Sequence, residues 1–147
     1  MRIDKSNKSE KLRNFAAWVE TLDERIIDWL NNLDTSTKIK MNFSIDSLDE
    51  VEKFLIKNFT LDSLNVQSNK YAIDGIASYV LKVFEKHWNP SQYTIELDDP
   101  KNILFNRPAI ITQPQIGAAF SPYMFISGII NLKRIGILRK NLESRMK

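Results

Sequence analysis

The sequence predicts an α+β domain, several amphipathic helices packed on a small, mainly antiparallel sheet. Three observations carry this. Long stretches repeat apolar residues at three-and-four spacing, the mark of helices with one buried face. Two short stretches alternate apolar and polar residues, as half-buried strands do. The order of these patterns is not the regular alternation that a parallel α/β sheet requires. The chain has 147 residues, with 43% hydrophobic and 27% charged, and fits a single domain spanning residues 1–147.

The first pattern runs from Asn7 to Leu33, where Leu12, Phe15, Ala16, Val19, Leu22, Ile26, Trp29, Leu30 and Leu33 form one stripe. It reads as one long helix, with Asn7 and Glu10 as a capping box and Trp18 beside the stripe. Lys38–Ser44 alternates Ile39, Met41 and Phe43 with polar residues and reads as a short strand. Ser47-Leu48-Asp49-Glu50 has the form of a capping box and opens a helix whose buried face is Leu48, Val51, Phe54, Leu55 and Phe59. Asp46, Asp49, Glu50 and Glu52 look like a carboxylate cluster, but acids at a helix start suit the dipole.

A third helix is expected from Ser68 to Trp88, with Ile73, Ile76, Ala77, Val80, Val83, Phe84 and His87 on one face. Asn89-Pro90 closes it. Gly75 inside this helix is costly unless another backbone approaches closely there. Tyr93–Leu97 and Ala109–Gln113 read as strands, joined by a loop that Ile103, Leu104 and Phe105 hold down. Ser121-Pro122 signals another helix start, with serine as the cap. Gly136 interrupts that helix, and a last helix is expected to turn Leu138, Leu142 and Met146 inward and its cations outward.

The inventory of side chains excludes much chemistry. There is no cysteine, so disulfides, thiolate metal sites and a cysteine nucleophile are ruled out. His87 is the single histidine, which leaves no histidine pair for a metal, and no Gly-x-Ser-x-Gly elbow is present. Four glycines form neither a P-loop nor a dinucleotide fingerprint. Glu96, Asp98 and Asp99 are the nearest approach to a catalytic carboxylate pair, though two aspartates before a proline also suit a turn. No metal and no cofactor is expected, and the protein is read as a non-enzyme. The polar start, Met1 to Lys8, has no apolar core of a signal peptide, and no apolar run approaches the ~20 residues that span a bilayer. A soluble cytoplasmic protein, with no membrane partner, is expected.

The net charge of +3 is unevenly distributed. Residues 1–14 carry Arg2, Lys5, Lys8, Lys11 and Arg13, and residues 131–147 carry Lys133, Arg134, Arg139, Lys140, Arg145 and Lys147. Were the ends adjacent they would make a basic patch, so weak nucleic-acid binding is one reading. Cations also suit the end of a helix without any ligand. His87-Trp88-Asn89-Pro90 is the most unusual local chemistry: a pocket wall or contact point on one reading, the closure of a core on the other.

Three segments carry a resemblance. They are Met41–Leu48 leading into a helix, Gly75–Val80 continuing to Trp88, and Pro108-Ala109-Ile110 with Ser121-Pro122-Tyr123. In that order they are similar to a loose set of small bacterial α+β proteins with no settled activity. Some of these resemble immunity or accessory proteins of toxin systems. The similarity extends over residues 12–143, and it implies the same fold class and a protein partner. Members of the set often show Tyr-x-Gly-Glu in the middle helix. Here Tyr79 matches, while Leu81 and Lys82 replace the glycine and the acid.

Three functions follow as expectations. The first is macromolecular binding, with another protein as partner. The second is a small-molecule-binding or hydrolytic domain, its pocket lined by Tyr79, His87, Trp88 and the loop Ile103–Arg107. The third is weak nucleic-acid binding through the basic ends. Candidate binding residues are Tyr79, Lys82, His87, Trp88, Arg107 and Arg134.

Overall fold

The computed structural model describes residues 5–146; Arg2 and Lys147 of the basic ends lie outside them. Among these residues the fold is α+β: seven α-helices with one two-stranded antiparallel sheet. The stretch predicted as one helix is two. Helix α1 (Lys5–Glu20), which already includes Asn7, meets α2 (Leu22–Asn31) at Thr21. Thr21 Oγ1 donates to the Ala17 carbonyl at 3.0 Å, the back-bonding by which a threonine competes with the helix ladder.

The strand expected at Lys38–Ser44 is instead a helical turn, α3 (Thr35–Lys40). Asp34 caps it, accepting from Thr37 N at 2.7 Å and Ser36 Oγ at 2.9 Å, a local bond that the alternation cannot match. The alternating residues share no face: Ile39 is 72% exposed and Met41 is buried. Helix α4 (Ser47–Asn58) forms as predicted, but Ser47 is not its cap. Ser47 Oγ donates to the Ser44 carbonyl at 2.6 Å and accepts from the Tyr79 hydroxyl at 2.8 Å.

Helix α5 (Gln67–His87) is the axis of the molecule. Every residue from Gly75 to Leu81 is buried, together with Val83 and Phe84, so the middle of the helix takes neighbours all round. Gly75 is where α2 crosses: a Cβ there would lie 2.7 Å from Trp29 Cβ and 3.0 Å from the Arg25 carbonyl oxygen. That is the close approach the sequence asked for.

Strand β1 (Ser91–Ile95) pairs antiparallel with β2 (Pro108–Thr112), in register from Ser91–Thr112 to Ile95–Pro108. The loop between them leaves Ile103 exposed, against expectation, while Leu104 and Phe105 are half-buried. On the other edge of β2, Ile110 exchanges both backbone hydrogen bonds with Phe120, whose ring stacks on Phe84 at 4.0 Å between centroids. Ser121 donates to the Pro108 carbonyl at 2.8 Å rather than capping a helix. A 3-10 turn, Pro122–Met124, leads into α6 (Ile126–Leu132).

Helix α7 (Ile137–Arg145) buries Leu138 and Leu142, but Met146 is exposed. Nor do all its cations face outward. Arg139 reaches Asp46 at 2.9 Å and Asp49 at 2.5 Å on α4. Arg145 lies 5.2 Å from the Trp88 ring centroid and donates to the Ala118 carbonyl at 2.6 Å. Glu52, buried on α4, accepts from the backbone N–H of Gly136 at 2.8 Å, Ile137 at 3.1 Å and Leu138 at 3.3 Å. The start of α7 is thus capped by an acid from another helix. One hydrophobic cluster runs through α2, α4, α5, β2, α6 and α7. No helix among the described residues is long and apolar enough to cross a membrane.

Candidate functional site

The six candidate residues do not share a place. Tyr79 is fully buried on α5 against Trp29 and Phe43, ring centroids 5.6 and 4.7 Å away. Its hydroxyl accepts from Phe43 N at 3.0 Å. His87, two turns further along α5, has Nε2 3.0 Å from the Phe43 carbonyl. A carbonyl can only accept, so Nε2 carries the proton. Phe43 has φ 62°, a left-handed conformation unfavourable to an aromatic residue. Tyr79 and His87 together satisfy its N–H and its C=O. The single histidine therefore has a structural task. Burial raises the Tyr79 hydroxyl above its usual range, which keeps it a neutral donor to Ser47.

Trp88 follows α5 into the interior and is 6% exposed. Lys82 pairs with Asp23 of α2 at 3.3 Å and with Glu85 at 3.7 Å, beside a shallow depression that includes Phe43 and Ser91. Arg134 is exposed between α6 and α7. Arg107 alone opens on a large cleft. The pocket expected from Tyr79, His87, Trp88 and residues 103–107 is therefore not formed, because aromatic packing around α5 fills the place of the first three. Glu96, Asp98 and Asp99 make no catalytic pair either: Glu96 Oε1 accepts the N–H groups of Asp98 and Asp99 at 2.8 and 2.9 Å, closing a turn.

The cleft lies elsewhere and has a volume of about 910 Å³. One wall is α1, through Lys11, Asn14, Phe15 and Trp18. The end of the sheet also lines it, through the terminal pair Ile95 and Pro108, with Asn106 and Arg107 of the adjoining loop. Ile73, Asp74 and Lys70 of α5, Tyr123, Ile126 and Ser127 near the start of α6, and Leu64 and Asn65 complete the lining. The volume is within the range of ordinary small-molecule sites, and the lining mixes apolar surface with a few polar groups as such sites do.

Its electrostatics are one-sided. Tyr123 donates to Asp74 Oδ1 at 2.6 Å, and burial together with that carboxylate pushes the phenol well above its usual range. The Arg25 guanidinium stacks 4.0 Å from the Trp18 ring centroid and donates to the Trp18 carbonyl at 2.5 Å, to Thr21 Oγ1 at 2.6 Å and to Ser78 Oγ at 3.1 Å. The one acid of the cleft is thus already bonded. Lys11, Lys70 and Arg107 have no carboxylate partner among the described residues; Lys11 Nζ sits 5.3 Å from the Phe105 ring centroid.

Most of this lining was not foreseen from the sequence. Trp18, off its helical stripe, was one signal, and Asp74 beside the buried face of α5 was another. No group of three His, Asp or Glu side chains converges to hold a metal among the described residues. Comparison with protein-family models, with curated proteins and with solved structures finds no match.

Proposed function

We propose that the protein acts by non-covalent binding and that the cleft beneath α1 is its site, taking a ligand with an apolar body and a negative charge. The observation that carries this is a largely apolar lining that also holds three cations, Lys11, Lys70 and Arg107, with no carboxylate partner among the described residues. The lining supports recognition rather than turnover. It offers amides (Asn14, Asn65, Asn106), a hydroxyl (Ser127) and an acid already bonded to Tyr123, but no histidine, and no base placed against a nucleophile. Calorimetric titration with medium-chain fatty acids tests the reading. Lys70→Gln and Arg107→Gln are each expected to weaken binding about tenfold, the loss of one charge-assisted contact. Absence of binding across the series, or equal affinity in both variants, would sink it.

A second reading keeps the protein partner. The turn between α6 and α7 exposes Leu132 (55%) and Ile135 (43%) on either side of exposed Lys133 and Arg134. Apolar residues flanking free cations suit an acidic segment of another protein, as an immunity or accessory protein would bind. Co-expression with the products of adjacent genes tests this: a complex must form, and Arg134→Glu must weaken it. The nucleic-acid reading loses support, because Arg139 and Arg145 are engaged in internal contacts.

A further inference from the structure

Helix α1 is the least anchored wall of the cleft. None of its described side chains is buried, whereas α2, α4, α5, α6 and α7 each bury several. Lys11, Asn14, Phe15 and Trp18 stand at i, i+3, i+4 and i+7, so the face that other helices turn to the core borders an open cleft in α1. The C-terminal end of α1 is secured by Arg25, which grips the Trp18 carbonyl and ring. The other end is secured by the Lys8–Asp98 ion pair, with side chains 38% and 73% exposed, and by Lys11 over Phe105. Exposed pairs of this kind hold weakly and are screened by salt. The helical run is interrupted at Thr21 (φ −98°, ψ 10°), and the backbone hydrogen bonds of Thr21 N to the Ala17 carbonyl and Arg25 N to the Thr21 carbonyl cross the joint.

We infer that α1 is a lid on the cleft, turning about Thr21, and that it closes on an amphipathic acid. The ligand's carboxylate or phosphate lies between Lys11 on the lid and Arg107 on the rim at the end of the sheet, and its apolar body lies under Phe15 and Trp18. This rests on the cleft being the binding site. Lys11 already points to that rim, since Phe105 is two residues from Arg107, and an anion there would satisfy both cations. A ligand that touches lid and rim together binds the closed state better than the open one, which is what closure requires.

Hydrogen exchange on the full chain tests it, with α5 amides as the control for an intact fold. In the free protein, α1 amides are expected to exchange at least about a hundredfold faster than those of α5. Dodecanoate and dodecyl phosphate, added separately, show which anion the rim accepts; the better one slows α1 exchange about tenfold. That protection disappears in Lys11→Gln while α5 is unchanged. Free α1 protected as well as α5 would overturn the lid. A probe that binds by calorimetry yet leaves α1 exchange unaltered would overturn the lid and leave the cleft as a site. If neither probe binds, the ligand class and the cleft fall together.

Discussion

Helices α1 and α2 are two halves of one predicted helix, and they have different fates. In α2 the stripe Leu22, Ile26 and Trp29 is buried, with Trp29 set against the bare backbone of Gly75. In α1 the continuation of the stripe, Phe15 and Val19, is only half-buried, as is Trp18 beside it. What separates them is the partner. Gly75 offers α2 a notch in the central helix; α1 reaches the core only through half-buried Trp18, and its cleft-facing side admits Lys11 and Asn14. Periodicity tells which side of a helix is apolar, and it does not tell what that side will meet.

The two tryptophans measure this difference most directly. Trp29→Ala empties a buried site between α2, α4 and α5 and is expected to cost about 3–5 kcal/mol. Trp18→Ala removes a half-buried ring and its stacking on Arg25, a loss of about 1 kcal/mol at most. Urea denaturation of both variants decides it; equal losses would mean that α1 is as much part of the core as α2.

A second contrast sets α1 against α7, the other terminal helix. Helix α7 is fastened by the buried carboxylate of Glu52, whereas α1 is held by the half-buried contact of Trp18 with Arg25 at one end and by an exposed ion pair at the other. Glu52→Ala leaves three backbone N–H groups at the start of α7 without their acceptor and is expected to cost about 3 kcal/mol. Burial, outweighing those three donors and helped by Asp49, raises the Glu52 carboxyl above its usual value. The folded protein therefore keeps this proton to higher pH than the unfolded chain. The contribution is complete below the unfolded value, about 4.3, and is lost as pH rises through the folded one. Asp34 runs the other way: its hydrogen bonds to Thr37 and Ser36 lower its value, so its contribution is present above the unfolded range and lost on acidification. Stability measured against pH in Glu52→Gln and Asp34→Asn is expected to lose slopes of opposite sign.

Gly75→Ala tests the notch itself. Alanine favours a helix by about 1 kcal/mol, but the new Cβ meets Trp29 Cβ and the Arg25 carbonyl, neither a flexible chain end. Overpacking of this kind costs about 1–3 kcal/mol, so a net loss is expected on thermal denaturation. Gly128 in α6 is the counterpart: a Cβ there meets nothing within 4 Å, and Gly128→Ala is expected to be neutral or stabilising. A stabilised Gly75→Ala would remove the account of why α2 alone is buried.

These contrasts also show where the sequence was legible. The fold class, α4, α5 and both strands follow from patterns within a dozen or so residues, and Gly75 pointed to its neighbour without naming it. Glu52 did not reveal its role, because its partners lie 84 to 86 residues away and acids at a helix start already had an explanation. His87 is unusual local chemistry in the sequence and Tyr79 matches the pattern of the similar proteins, yet what they hold is the strained backbone of Phe43, which no spacing rule records. The cleft draws residues from Lys11 to Ser127, each ordinary in its own segment. Of the six candidates, Arg107 alone reached it, and Lys11, Lys70, Asp74 and Tyr123 come together only in three dimensions.

The smallest expected effect is the one that isolates α1. Asp98 is largely exposed and its bond to Lys8 joins two solvated side chains, so Asp98→Asn is expected to leave the urea midpoint unchanged. The same substitution removes one of the few ties at the N-terminal end of α1, where none of the described side chains is buried. Exchange of α1 amides is expected to rise several-fold at low salt, and by less at high salt, where the wild-type pair is already screened. Helix α7, fastened from inside, is expected to show no such salt dependence. A rise spread equally over both terminal helices would mean that Asp98 supports the whole fold, and that the two helices are anchored alike.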